Sequence, residues 1–433
     1  MVKRLFTGVV TLMVLSGLGF LFFAWQPALT AIEPPQAAAF PAEQIAQGEQ
    51  LALAGFCANC HTVPGGQDYA GGLGLDSGFG IIYTTNITPD PETGIGTWSE
   101  AAFFRAMRKG VSRNGAHLLP AFPYSHFAKI TDPDLTALYA YFMTRTPVKA
   151  EKQRNTLPFP LNIRLLQAGW KLLFVNSSAG PYQPRADKSE AWNRGAYLSE
   201  GLGHCGACHT PRNALGGEKL DHAYGGAVID HWLAPSLTHT NPSPLPWTEA
   251  DLFDYLRNGA SPLHGVAAGS MAEVVHMGLA KLPEADVRAI AVFFADLNGS
   301  ATVDAAPALA TAMARERNDT GSEADHGAQL FRTACAYCHY NNAERPAPAR
   351  PELALSSTIF ASDPVNFIHV VLDGIGSKDG IPGLYMPGFA KSLSDDDIAE
   401  LASYLRRTRT DQPAWPNLIE AVASNRKSLT ASH

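Results

Sequence analysis

All six cysteines of the chain lie in three pentapeptides, Cys57-Ala58-Asn59-Cys60-His61, Cys205-Gly206-Ala207-Cys208-His209 and Cys335-Ala336-Tyr337-Cys338-His339. Two thiols three residues apart, with an imidazole at the next position, share one face of one helical turn. This spacing is the attachment signature of c-type haem. The thiols add across the porphyrin vinyl groups, and the histidine becomes the proximal iron ligand. Two other chemistries compete for these residues. A dithiol redox pair has no need of a trailing histidine three times over. An all-thiolate zinc site would need cysteines from outside the motifs, and the chain has none. The motifs predict three covalent haems c on Cys57, Cys60, Cys205, Cys208, Cys335 and Cys338, with His61, His209 and His339 as proximal ligands.

A haem that only carries electrons generally has both axial positions filled, and a methionine there raises its potential by favouring ferrous iron. Met386, in Tyr385-Met386-Pro387-Gly388, follows His339 by 47 residues and precedes the last strongly amphipathic segment. Met271, in Gly269-Ser270-Met271-Ala272-Glu273, follows His209 by 62 residues, with Met277 competing nearer the next helix. Both are expected as distal ligands. The first motif breaks the rule, because 61 residues beyond His61 stands Phe122, whose ring cannot bind iron. Met107 and Met143 fall inside expected helices. His126 and His117 remain as candidates, alongside an open iron.

The elements that must position these groups recur with the motifs. A short helical stretch leads into each one, carrying Gly48, Gly195 or Gly327 at 9, 10 or 8 residues before the first cysteine. A glycine there suits close crossing with another helix. Each repeat closes on an amphipathic helix with an acidic first turn, from Asp132, from Glu284 and from Asp395, which complements the helix dipole. The first two repeats also share a tryptophan (Trp98, Trp247), a Ser/Thr cap, a helix, and a glycine stop (Gly110, Gly259) 12 residues after the tryptophan.

The chain has 433 residues, long enough for three domains of ~100–150 residues. Its 46% hydrophobic and 17% charged residues are those of a globular protein, and a net charge of −7 speaks against a nucleic-acid partner. Lys3 and Arg4 precede an apolar run from Leu5 to Trp25, with no charge until Glu33. The run approaches a full ~20-residue span, longer than a signal peptide's ~7–15 residues, and Leu29-Thr30-Ala31 is a poor cleavage site. An uncleaved anchor is expected, with the rest of the chain on the periplasmic side of a bacterial inner membrane. The expected division is 1–32 anchor or signal segment, 41–150, 191–300 and 321–412 the haem domains, and 413–433 a tail. Residues 151–190 are too apolar for a free linker and are expected to pack between domains or against another subunit. Residues 301–320 read as a plain connector.

The arrangement resembles the tri-haem cytochrome c subunits of periplasmic membrane-bound dehydrogenases for alcohol, gluconate, sorbitol and fructose. The likeness rests on Tyr83-Thr84-Thr85-Asn86-Ile87-Thr88-Pro89-Asp90, His117-Leu118-Leu119-Pro120-Ala121-Phe122-Pro123-Tyr124, and Arg194-Gly195-Ala196-Tyr197-Leu198 before Cys205. It implies an all-α chain of three tandem class I cytochrome c domains after an N-terminal transmembrane or signal helix. It also implies electron flow from a dehydrogenase catalytic subunit to membrane quinone or a downstream oxidase. Many members have methionine where Phe122 stands. The Phe-Pro-Tyr-x-His-Phe variant and Leu157–Arg164 are similar to the branch paired with molybdenum aldehyde or nicotinate dehydrogenases. In that comparison His126 accompanies the phenylalanine and is the expected ligand, whereas methionine-bearing members often already carry a counterpart of His117. An independent electron shuttle, or a haem peroxidase at an open first iron, are the alternatives.

Overall fold

The computed structural model describes residues 2–175, 180–300, 303–317, 322, 324–339, 351–376, 379–381 and 383–432. It is mostly helical, with four short two-stranded antiparallel ladders among these residues. The chain divides into two compact units. The first comprises Met1–Pro184 with Glu200–His204, and the second Arg185–Ser199 with Cys205–His433.

In the first unit the lead helix Ala42–Ala54 crosses the closing helix Asp132–Met143. Contact is at backbone distance: a Cβ on Gly48 would lie 2.0 Å from the Ala137 carbonyl oxygen. Leu51, Leu135 and Leu138 are buried along these two helices, and the Phe142 ring meets those of Tyr69 and Phe103. A third helix, Glu100–Lys109, starts where the Ser99 hydroxyl accepts from the Ala102 N–H and stops at Gly110 in the left-handed region (φ 57°). Its inner face buries Phe103 and Met107.

Helix Val2–Ala24 presents its side chains outward except for the half-buried Phe20 and for Ala24, which is fully buried. At ~1.5 Å per residue its 23 residues reach roughly 35 Å, enough to cross a bilayer's apolar core. The chain beyond it is bound tightly to the unit. Leu29 N–H donates to the Arg113 carbonyl (2.8 Å), Ile32 N–H to Thr97 (3.1 Å), and the Arg105 guanidinium to the Pro27 carbonyl (2.7 Å). Thr156 and Asn155 pair with the ladder strand Ile81–Tyr83, and the helix Gln167–Phe174 packs on the N-terminal helix.

The second unit contains the same crossing twice. Helix Glu190–Glu200 meets Glu284–Leu297, where a Cβ on Gly195 would lie 1.9 Å from the Ala289 carbonyl oxygen. Helix His326–Leu330 meets Asp395–Arg409, where a Cβ on Gly327 would lie 2.4 Å from the Glu400 carbonyl oxygen. The residue four positions after each contacted carbonyl is aromatic, Tyr141, Phe293 or Tyr404, and its Cβ packs on the glycine. The expected close crossing is therefore present in all three repeats. Thr248 caps Glu249–Asn258 as Ser99 does its counterpart, and Ser394 with Asp397 forms a capping box.

Two stretches differ from expectation. Of residues 301–320, 301–302 and 318–320 lie outside the described residues, but 306–317 is a helix. Its Glu316 accepts from the buried Arg409 guanidinium at 3.2 Å and from the Ala354 N–H, so this part is built into the core. The tail also folds: Trp415 and Leu418 are buried under helix Val365–Asp373, while Ile419 faces outward.

Candidate functional site

Each cysteine–histidine motif forms a helical turn, over Cys57–His61, Gly206–His209 and Ala336–His339. In every copy the first cysteine is half-buried and the second exposed. Burial, reinforced by the neighbouring cysteine, pushes the Cys57 and Cys205 thiols up to about 12 and that of Cys335 to about 11. A redox dithiol needs the opposite, a thiolate stabilised near neutral pH.

The histidines are oriented alike. His61 Nδ1 lies 2.6 Å from the Thr85 carbonyl oxygen, His209 Nδ1 2.7 Å from that of Pro235, and His339 Nδ1 3.1 Å from that of Pro351. A carbonyl can only accept, so Nδ1 carries the proton and Nε2 presents its lone pair. Burial lowers the pKa of all three, which keeps the rings neutral. A neutral imidazole with Nδ1–H held by a carbonyl is the usual form of a metal-ligating histidine. Together with two thiols on the same turn, these residues fit a covalently attached haem.

The loops that bring in these carbonyls are built by matched hydrogen bonds. In the first unit the Thr62 hydroxyl accepts from the Tyr69 N–H (3.1 Å), and Gly71 N–H donates to the His61 carbonyl (2.7 Å). In the second unit Thr210 and Tyr224 pair at 3.1 Å, and Gly226 donates to His209 at 2.7 Å. Gly71 has φ 74°, and a Cβ there would sit 2.4 Å from the Thr85 carbonyl carbon, so the loop closes only with glycine. Asn86, Thr88 and Asp90 brace the segment after Thr85. Thr88 Oγ1 donates to Asn86 Oδ1 (2.8 Å), Asn86 Nδ2 to the Val148 carbonyl (2.6 Å), and Thr93 N–H to Asp90 Oδ1 (2.6 Å). Sequence reasoning found the Tyr83–Asp90 run but not its task, and it missed the threonine–tyrosine pair because seven residues separate it in one copy and 14 in the other.

The distal candidates occupy separate elements. Met271 lies in the first turn of Ser270–Glu273, partly buried against the cluster of Ala267, Ala272 and Val275, whereas Met277 is exposed. Met386 is paired with Ile375 in a ladder and is partly buried. Met107 and Met143 are helix core residues. Phe122 packs edge-on against Phe127 at 5.2 Å.

The two histidines of the first unit have different surroundings. His126, 9% exposed on the turn Tyr124–Phe127, directs Nδ1 to the Glu200 carbonyl oxygen at 3.1 Å, as the motif histidines do to theirs. His117 has both nitrogens engaged within the fold: Nε2 with the Ala24 carbonyl (2.7 Å) and Nδ1 with the Lys171 ammonium (3.2 Å). Burial lowers its pKa, and Lys171 adds to this, so the neutral ring donates from Nε2 and accepts at Nδ1. It is a strut between the end of the first helix and the fold.

A cytochrome c family model matches residues 45–146, and a model for subunit III of cbb3-type cytochrome c oxidase matches residues 322–405. The chain is 47% identical over 405 residues to one subunit of the nicotinate dehydrogenase of Pseudomonas putida, covering 93% of this chain and 33% of that protein. It thus spans about a third of that relative. It is 37% identical to the gluconate 2-dehydrogenase cytochrome c subunit of Pantoea cypripedii, over 89% of this chain and 90% of the other. With the cytochrome c subunit of the quinone alcohol dehydrogenase of Gluconobacter oxydans the identity is 35%, over 84% and 78%.

Proposed function

The chain belongs to the cytochrome c subunits of bacterial dehydrogenase complexes, and on that premise we propose a membrane-anchored relay of three haems. Membership makes it an electron-transfer subunit with covalently attached haem c. The further reading is three tandem cytochrome c domains, one haem on each motif, serving a molybdenum-type hydroxylase and delivering to membrane quinone on the periplasmic side of the inner membrane.

The observation that carries this reading is the threefold repetition of one arrangement: a glycine crossing, a cysteine–histidine turn, and a histidine Nδ1 bonded to a backbone carbonyl. Haem iron supplies one-electron exchange between its ferric and ferrous states. The protein's part is to fix ligands and keep them from moving. The Thr85, Pro235 and Pro351 carbonyls hold the ring planes and raise imidazole basicity. Thioethers from Met271 and Met386 would raise potentials, and the His126 imidazole would lower that of the first haem. His126 is favoured because its Nδ1 meets a backbone carbonyl as those of the motif histidines do, whereas His117 serves as a strut to the Ala24 carbonyl. The molybdenum-type partner is supported by the Phe122–His126 variant and by the 47% identity to part of a nicotinate dehydrogenase. The alternative, a quinoprotein or flavoprotein alcohol or sugar dehydrogenase, draws on the gluconate and alcohol dehydrogenase relatives.

Retention of the N-terminal helix is supported by the bonds at its end. Cleavage near Ala31 would remove the Ala24, Pro27 and Leu29 carbonyls, which receive His117, Arg105 and Arg113. Those three side chains would lose fixed partners inside the first unit. Edman sequencing of the membrane-extracted protein should therefore begin at or near Met1, and a start near Ile32 overturns the anchor. Pyridine haemochrome assay should give three haems per chain, falling to two in Cys335→Ala/Cys338→Ala; two in the unaltered chain refutes the relay. Purifying the detergent-solubilised complex should reveal molybdopterin, and finding pyrroloquinoline quinone or flavin selects the alternative partner.

A further inference from the structure

Helix Gln167–Phe174 has two faces. Gln167 and Ala168 are buried in the first unit, and Lys171 turns inward, its ammonium donating to the Lys109 (2.7 Å) and Gly110 (2.6 Å) carbonyls and to His117 Nδ1. The opposite face is apolar and uncovered, with Leu172 and Leu173 each 69% exposed. The chain leading into it adds Phe159, 79% exposed, and the exposed Leu161, Ile163 and Leu166. Six large apolar side chains within sixteen residues form an unusual surface for contact with water.

Its position says what covers it. The helix packs on the last turns of Val2–Ala24, with Gly169 facing Phe20: a Cβ there would lie 3.4 Å from the Phe20 ring. Phe20 is four residues before Ala24, at which the apolar helix ends, and the exposed Trp25 follows at the level where tryptophans sit in membrane interfaces. Residues 152–174 contain no Asp or Glu, whereas Lys152, Arg154 and Arg164 lie on the approach to the helix. An apolar face flanked by cations and free of carboxylates is the pattern of an element lying in the headgroup region of anionic phospholipid.

We propose that Phe159–Phe174 is a second membrane element, seated with its leucines and Phe159 in the outer leaflet beside the anchor. The proposal rests on the anchor being retained. It gives the apolar 151–190 stretch a lipid partner rather than a protein one. Lys171 is the hinge of the design: with its charge satisfied inside, the outer face is left entirely to leucine.

Native membranes containing the whole complex can be treated with a photoactivated aryl diazirine that partitions into acyl chains, followed by peptide mapping. Leu5–Trp25 should be labelled, and so should Phe159–Phe174, on the order of tenfold above the soluble helix Glu100–Lys109. Label confined to Leu5–Trp25 overturns the proposal and leaves the anchor standing; water or the catalytic subunit then covers this face. Label in neither segment overturns the anchor and the proposal together. Leu172→Glu/Leu173→Glu should lose the second site of labelling with the anchor's labelling and the haem spectrum unchanged. Undiminished labelling in that variant also overturns the proposal.

Discussion

The first and second cysteine–histidine motifs stand on the same scaffold and differ on the side away from it. In both, a glycine lets the lead helix touch a closing-helix carbonyl, at 2.0 Å for a Cβ on Gly48 and 1.9 Å on Gly195. In both, a threonine hydroxyl and a tyrosine N–H shape the loop after the histidine, and a short hairpin follows. Even the hairpins are secured alike. The Asn155 side chain accepts from the Tyr83 N–H at 2.9 Å, while Asn366 both accepts from and donates to the Leu233 backbone at 2.8 Å. The divergence lies in the later loop, where one copy has Gly269-Ser270-Met271 and the other has Phe122 with His117 and His126. The proximal half is fixed by backbone geometry with little freedom to vary. In the proposed relay the distal half rests on one side chain carried outside the crossing.

The largest effect should come from the proposed distal residue. His126→Ala is expected to turn the first haem from low-spin to high-spin or ligand-exchangeable iron in electron paramagnetic resonance. His117→Ala should leave it low-spin. With two histidines this haem should also titrate at the lowest potential of the three. A first haem that already binds carbon monoxide before substitution would break the comparison and favour an open, peroxidase-like site.

Next comes the shared scaffold. Gly48→Ala and Gly195→Ala force a methyl into a backbone carbonyl, and each should destabilise its unit by about 2–3 kcal/mol, read as the shift in a denaturant midpoint. Similar losses in both would sharpen the claim of one crossing used repeatedly. A neutral result at either would show that the helices can slide apart there.

The smallest difference should separate the two asparagines. Asn366→Ala removes a bond in each direction from Leu233 and should cost about 1–2 kcal/mol, against about 0.5–1 kcal/mol for Asn155→Ala, which removes one. Equal costs would mean that the paired bond at Leu233 adds nothing beyond a single one.

Much of this was legible because the residue type does the work. Cysteine spacing, a glycine at a crossing, and Ser99, Thr248 and Ser394 as caps each have a local physical cause that the sequence carries. The Thr85, Pro235 and Pro351 carbonyls were not legible, since every residue has a carbonyl and only the fold selects which one meets a histidine. His117 and His126 look alike in sequence, and only their partners differ. Residues 306–317 read as connector because alanine and scattered charge resemble a linker. That Glu316 meets Arg409, 93 positions away, is a tertiary fact.

The bonds between residues 24–32 and the first unit also bear on motion. A flexible stalk of eight or nine residues would let a domain roam over roughly 15 Å and meet the bilayer at every tilt. Here there is no slack. In a chain that keeps its first helix, that helix and the first unit rotate and diffuse as one body, at a fixed height and heading. A reaction partner in the plane of the bilayer then meets the same edge of the first unit on every encounter, and orientation is settled before collision.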